Sequence, residues 1–188
     1  MKSLYQQVLG QDFANLAPVL QALHGPQGSQ VQGTLSVSWA VSFWLRLLPL
    51  LGRMPAASPA ATCHVRLAPL ASRRERWSRI IGGKAMNSVM QAGSGRVIIE
   101  HVGPVSVHLG TWVEADGSLQ QRSERVVLRR LGWPVPGLTI TASEQPIDVQ
   151  HYHCEVKVSL TRFGTLIHYS GVLGLVEPTF PSTQTEKP

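Results

Sequence analysis

Three histidines near the C-terminal end of the sequence have the spacing of a metal site. His151 and His153 stand two apart, which puts both side chains on one face of a strand. With His168 on the following segment as a third donor, and Glu155 on the same face, the set matches what zinc takes. The same stretch also alternates cleanly. His151, His153, Glu155, Lys157 and Ser159 occupy one side, and Tyr152, Cys154, Val156, Val158 and Leu160 the other. Period-two alternation predicts a half-buried strand with its polar side in water, and that reading is preferred; no metal and no cofactor is expected.

The other reactive residues are scattered. Cys63 and Cys154 form no CxxC pair and have no finger spacing, which predicts two reduced thiols in a cytosolic protein. GxSxG, GxxxxGK[ST] and GxGxxG are all absent, so serine-hydrolase, phosphate-loop and dinucleotide readings fall away. Among the carboxylates, Glu100 follows Ile98 and Ile99 and is placed to face a cavity as an acid or an acceptor. An ion-paired Glu on a sheet is the commoner outcome. Trp77, Trp112 and Trp133 each bring a large apolar body and one donor, suited to lining a pocket or to packing a barrel.

The elements that must position these groups are mostly strands. Residues 3–24 read as one helix or two short ones, with a break near Gly10, Pro18 as an internal disturbance or a new start, and a stop at Gly25-Pro26. Residues 30–39 alternate as a strand, with Val31, Gly33, Leu35, Val37 and Trp39 on one face. Residues 41–52 (VSFWLRLLPLLG) are nearly all apolar, interrupted by Arg46 and Pro49 and too short to span a bilayer. They read as a buried helix, with a membrane-surface or partner-docking helix as the alternative. From there to Gly174, short alternating segments follow one another, separated by Gly, Pro and Asp-Gly turns.

The pattern predicts an α+β, β-rich domain over residues 1–176, helical at 3–24 and 41–52, and a disordered tail over 177–188. Its core is a strongly curved antiparallel sheet or barrel of about nine to ten strands, with N-terminal helices, because such a meander must hide its edges. The interior either packs solid or holds a ligand.

Charge is sparse at 15% of residues, below the typical share of roughly 25%. The formal net charge is +6, with basic clusters at Arg73, Arg74, Arg76, Arg79 and Lys84 and at Arg122, Arg125, Arg129 and Arg130. No nucleic-acid partner is expected, because aromatic residues do not interleave with these bases as stacking platforms would. The N-terminus lacks an apolar signal core, which points to a cytoplasmic protein.

Five stretches carry a family resemblance: SLYQQVLGQDFANLAPVLQALH, ERWSRIIGGKAMNS, EHVGPVSVHL, LGWPVPG and VSLTRFGTLIHYSGVL. Over residues 3–175 the chain resembles a bacterial domain-of-unknown-function family, number 4166. The resemblance implies a domain found alone or joined to reductase domains similar to saccharopine dehydrogenase, hence a reductase-like partner and a place in small-molecule metabolism. It implies no established activity and supplies no catalytic residues. Among the matching positions, Arg76, Arg79, Ser88, Glu100 and Tyr169 are the polar ones to suspect of lining a site.

Three functions follow as expectations. The first is a binding module whose curved barrel holds a small apolar or amphipathic molecule, with Arg76 or Arg79 neutralising an acidic end and Trp77 and Trp112 lining its body. The second is an enzyme or accessory subunit acting with a reductase, using Glu100, Tyr169 or the His151/His153 pair for acid–base work. The third, least favoured, is a peripheral membrane or partner-docking protein using residues 41–51 and the arginines.

Overall fold

Alternation in β1 (Ser29–Trp39) decides the architecture, because it gives this strand one apolar face to bury. Val31, Leu35 and Val37 point inward and are buried, while Gln30, Gln32, Ser36 and Ser38 do not join them. The computed structural model describes residues 2–39, 54–71 and 73–176. The apolar segment 41–52 and the tail 177–188 lie outside the described residues.

Nine further strands continue the meander: β2 (Ser58–Leu70), β3 (Arg74–Ile81), β4 (Lys84–Ala92), β5 (Val97–Val102), β6 (Val105–Val113), β7 (Leu119–Leu128), β8 (Leu138–Pro146), β9 (His151–Leu160) and β10 (Gly164–Leu175). Each pairs antiparallel with its neighbour in sequence, and β1 also pairs with β10, so the sheet closes into a ten-stranded barrel. Closure removes both edges that an open meander would expose. Because direction alternates, the β3–β4, β5–β6, β7–β8 and β9–β10 connections gather at one end, where β1 also ends and β2 begins. The N-terminal segment and the other connections lie at the opposite end.

Eight-stranded barrels are just wide enough for side chains to fill, so a ten-stranded one needs more filling. The N-terminal segment supplies it. Helix α1 (Leu4–Leu9) starts at a capping box in which the Gln6 amide donates to Ser3 Oγ and the Ser3 amide donates to Gln6 Oε1. A 3-10 segment (Gly10–Asn15) follows, and Pro18 opens helix α2 (Pro18–Leu23) at a position where its missing N–H costs nothing. Tyr5, Val19, Leu20 and Leu23 are fully buried and share one core with inward residues of the strands. The helices therefore plug the barrel.

Two glycines let the wall close. Gly33 on β1 and Gly171 on β10 sit diagonally across the seam where the sheet joins itself. A Cβ at Gly33 would run into the Val172 carbonyl oxygen, and one at Gly171 into that of Thr34. Only glycine allows the two backbones this approach.

Candidate functional site

Strand β3 presents Glu75, Trp77, Arg79 and Ile81 to the interior at successive period-two positions. Register with β4 sets Trp77 opposite Ser88, and register between β4 and β5 sets Met90 opposite Glu100. Arg79 therefore reaches two partners at once. Its Nη1 donates to Ser88 Oγ at 2.8 Å and its Nη2 to Glu100 Oε1 at 3.1 Å. The guanidinium carbon also lies 4.5 Å from the centre of the Trp77 ring, in cation–π range.

Little water reaches this pair, since the Arg79 and Glu100 side chains are only 11% and 17% exposed. Burial works against the charge on Arg79, but Glu100, and behind it Tyr169, outweigh burial and raise its pKa. The guanidinium thus stays charged and already neutralised.

Beside the pair lies a cavity of about 110 Å³, lined mostly by apolar side chains from all round the barrel. Tyr169, Cys63 and Cys154 also face it. Burial pushes the Cys63 thiol up to about 11 and raises Cys154 further, although Arg79 acts in the opposite sense on both. The Tyr169 hydroxyl is raised as well, again chiefly by burial. At neutral pH all three remain protonated, so they can donate hydrogen bonds but supply no ready nucleophile.

A second polar layer lies toward the helical plug. His24, which ends α2, is fully buried and its Nε2 is 2.6 Å from Glu144 Oε2 on β8. Its ring stacks on Tyr5 with centroids 3.8 Å apart and lies 6.0 Å from Trp77, while its Nδ1 has no partner among the described residues. Trp77 Nε1 donates to Glu75 Oε1 at 2.6 Å. Burial raises the Glu75 pKa, with His24 and the Trp77 hydrogen bond offsetting part of the effect. Trp77 joins the two layers, offering its ring face to Arg79 and its N–H to Glu75.

Of the residues singled out in the sequence, Trp77, Arg79, Ser88, Glu100 and Tyr169 meet inside the barrel. Arg76 and Trp112 do not line this interior. Arg76 falls between inward-pointing Glu75 and Trp77 and stands exposed on the outer face. Trp112 is 37% exposed, and its Nε1 donates to Glu114 Oε1 on the outside. Trp133 is exposed too.

On β9, His151 is exposed and His153 half-buried. His151 Nδ1 contacts Asp148, and His168 Nε2 is 2.8 Å from Glu155 Oε1 across the β9–β10 ladder. Among the described residues no three His, Cys, Asp or Glu side chains are grouped to hold a metal.

His24, Glu75 and Glu144 are interior residues that sequence reasoning missed. Glu75 carried a signal, since it precedes Trp77 and Arg79 at period two and must share their face. His24 carried none, because a residue before Gly25-Pro26 reads as the end of a helix.

Together these features define a class: a closed antiparallel barrel, plugged at one end by short helices, with an ion pair and a second polar layer inside. Within that class the chain belongs to the domain of unknown function family DUF4166, whose sequence model matches residues 16–173. No curated protein matches the chain. A crystal structure of a conserved protein of unknown function with a hot dog fold, from Alicyclobacillus acidocaldarius, is similar at 11% identity and a TM-score of 0.25. That alignment covers 95% of this chain and 92% of the other, and likeness at that level carries no inference. No helix among the described residues is long and apolar enough to cross a membrane.

Proposed function

We propose that this protein is a binding module that holds a small apolar or amphipathic molecule inside its barrel. One observation carries the reading: a charged cluster, Arg79 hydrogen-bonded to Glu100 and Ser88, is buried beside an apolar cavity. Burying an ion pair costs desolvation that apolar packing would avoid, so packing alone gives no reason to retain it. A few convergent polar groups in an apolar hollow are what orient a ligand.

Charge narrows the ligand. Glu100 already neutralises Arg79, and Arg76 stands outside, so an acidic headgroup would find no free cation in the cavity. A neutral molecule carrying hydrogen-bonding groups suits it better. Size narrows it further, because about 110 Å³ is below the roughly 150 Å³ that holds a benzene molecule. The occupant is a small molecule, or the narrow end of a longer one. Catalysis draws less support, since the thiols and Tyr169 stay protonated.

Native mass spectrometry of the protein purified from its own host tests the reading, with extraction and identification of whatever adds mass. A reproducible neutral or amphipathic adduct, lost in Arg79→Met, supports it. A clean apo mass, together with no change in Trp emission on titration with small neutral amphiphiles, overturns it.

A further inference from the structure

The two barrel ends differ sharply in charge. Among the described residues, no connection at the end opposite the helices contains an Asp or a Glu. Arg129 and Arg130 lie in the β7–β8 connection and Arg162 in the β9–β10 turn, all exposed. None of the three forms an ion pair among the described residues. The acidic connections are all at the plugged end, where Asp12, Glu114, Asp116 and Asp148 lie with Arg73 and Arg96.

The same two basic connections hold three large apolar side chains in solvent: Leu131 at 57% exposure, Trp133 at 65% and Phe163 at 61%. They are held there by a built framework. The Leu128 amide donates to the Trp133 carbonyl at 2.8 Å, Gly132 to Leu128 at 2.8 Å and Val135 to Val126 at 2.8 Å. The Arg129 amide donates to the Pro104 carbonyl, which ties in the β5–β6 turn. The Thr161 amide and hydroxyl both donate to the Gly137 carbonyl, which ties the two connections together. Arg162 is held at a φ of 76°, a conformation that L-residues seldom adopt.

We propose that this rim is a docking surface for a membrane carrying anionic lipid. Exposed Trp, Phe and Leu beside unpaired arginines suit the bilayer interface, where aromatic and aliphatic groups enter the acyl boundary and cations meet lipid phosphates. A nucleic acid would reward the arginines but not Leu131 and Phe163, and an acidic protein would need a more extended basic face.

Co-sedimentation of the full chain with vesicles tests it, comparing phosphatidylcholine alone with phosphatidylcholine mixed with phosphatidylglycerol. Binding is expected only to the mixed vesicles, and is expected to be lost at roughly 1 M salt, where the Debye length falls to about 3 Å. At roughly fivefold per charge near an anionic surface, the R129E/R130E/R162E variant is expected to lose about a hundredfold or more in partition. W133S/F163S is expected to bind more weakly, and Trp133→Phe to remove any blue shift in emission on binding. A matched I147S/V149S variant changes exposed residues at the plugged end and should bind as wild type. Melting curves check that each variant folds. Equal binding to both vesicle types, wild-type binding by the triple variant, or binding to RNA, DNA or acidic polypeptide without vesicle binding would overturn the proposal.

Discussion

His24 and Glu144 meet at 2.6 Å although 120 residues separate them in sequence. The contact fastens the end of α2 to β8 near the plugged end of the barrel wall, and the stacked Tyr5 ring fixes the plane of the imidazole. Removing His24 would leave Glu144 without its partner and a hole beneath Tyr5. His24→Ala is expected to cost about 2–5 kcal/mol in urea unfolding, from the cavity it leaves and the acceptor it leaves unpaired. Glu144→Gln keeps a polar partner and should cost clearly less. Limited proteolysis of His24→Ala should cut first within the N-terminal segment, since this contact anchors it.

Arg79 and Glu100 should behave as one unit. Arg79→Met strands a buried carboxylate and is expected to cost about 3–5 kcal/mol, while adding Glu100→Gln to it should recover part of the loss. A double-mutant cycle read by urea unfolding should give a coupling energy of about 1 kcal/mol or more. Additive losses would mean that the two side chains act separately.

The sign of the Glu75 effect is opposite to that of an ordinary surface carboxylate. Burial raises its pKa in the folded protein above the unfolded value. Its contribution is therefore fully present below the unfolded pKa and is lost as pH rises through the folded one. Glu75→Gln keeps an acceptor for Trp77 Nε1 and removes the ionisation. Its melting temperature should match wild type in acid and exceed it at neutral and alkaline pH. A variant less stable than wild type at pH 8 would contradict this account.

At the seam, Gly33→Ala and Gly171→Ala each force a methyl group into a carbonyl oxygen of the neighbouring strand. Overpacking against backbone has no flexible side chain to absorb it, so each should cost about 3 kcal/mol or more. Differential scanning calorimetry of either variant provides the check.

Cys63 and Cys154 should resist alkylation. With Cys63 pushed up to about 11 and Cys154 raised further, little thiolate exists at neutral pH, and both face the interior. Iodoacetamide labelling at pH 8 followed by mass spectrometry should show slow modification of the native protein and rapid modification in urea.

Local periodicity made much of the fold legible. Alternation in 30–39 and 151–160 assigned faces that the barrel keeps, and Gly, Pro and Asp-Gly marked the turns. Glu100 and Arg79 were readable as candidates, but not that they would pair, because pairing depends on register across β3, β4 and β5. Arg76 and Arg79 stood as alternatives, and only Arg79 faces inward, because a cluster of arginines hides which of them alternate toward the core.

From the sequence alone came the β-rich class, the meander, the N-terminal helical segment and the absence of nucleotide-binding motifs. These follow from side-chain period and turn chemistry, which act over a few residues. Closure of the barrel, the His24–Glu144 clasp, the Glu75–Trp77–Arg79 stack and the gathering of unpaired arginines at one mouth were decided by the tertiary structure. Each depends on contacts between residues far apart in the chain, which local spacing does not encode.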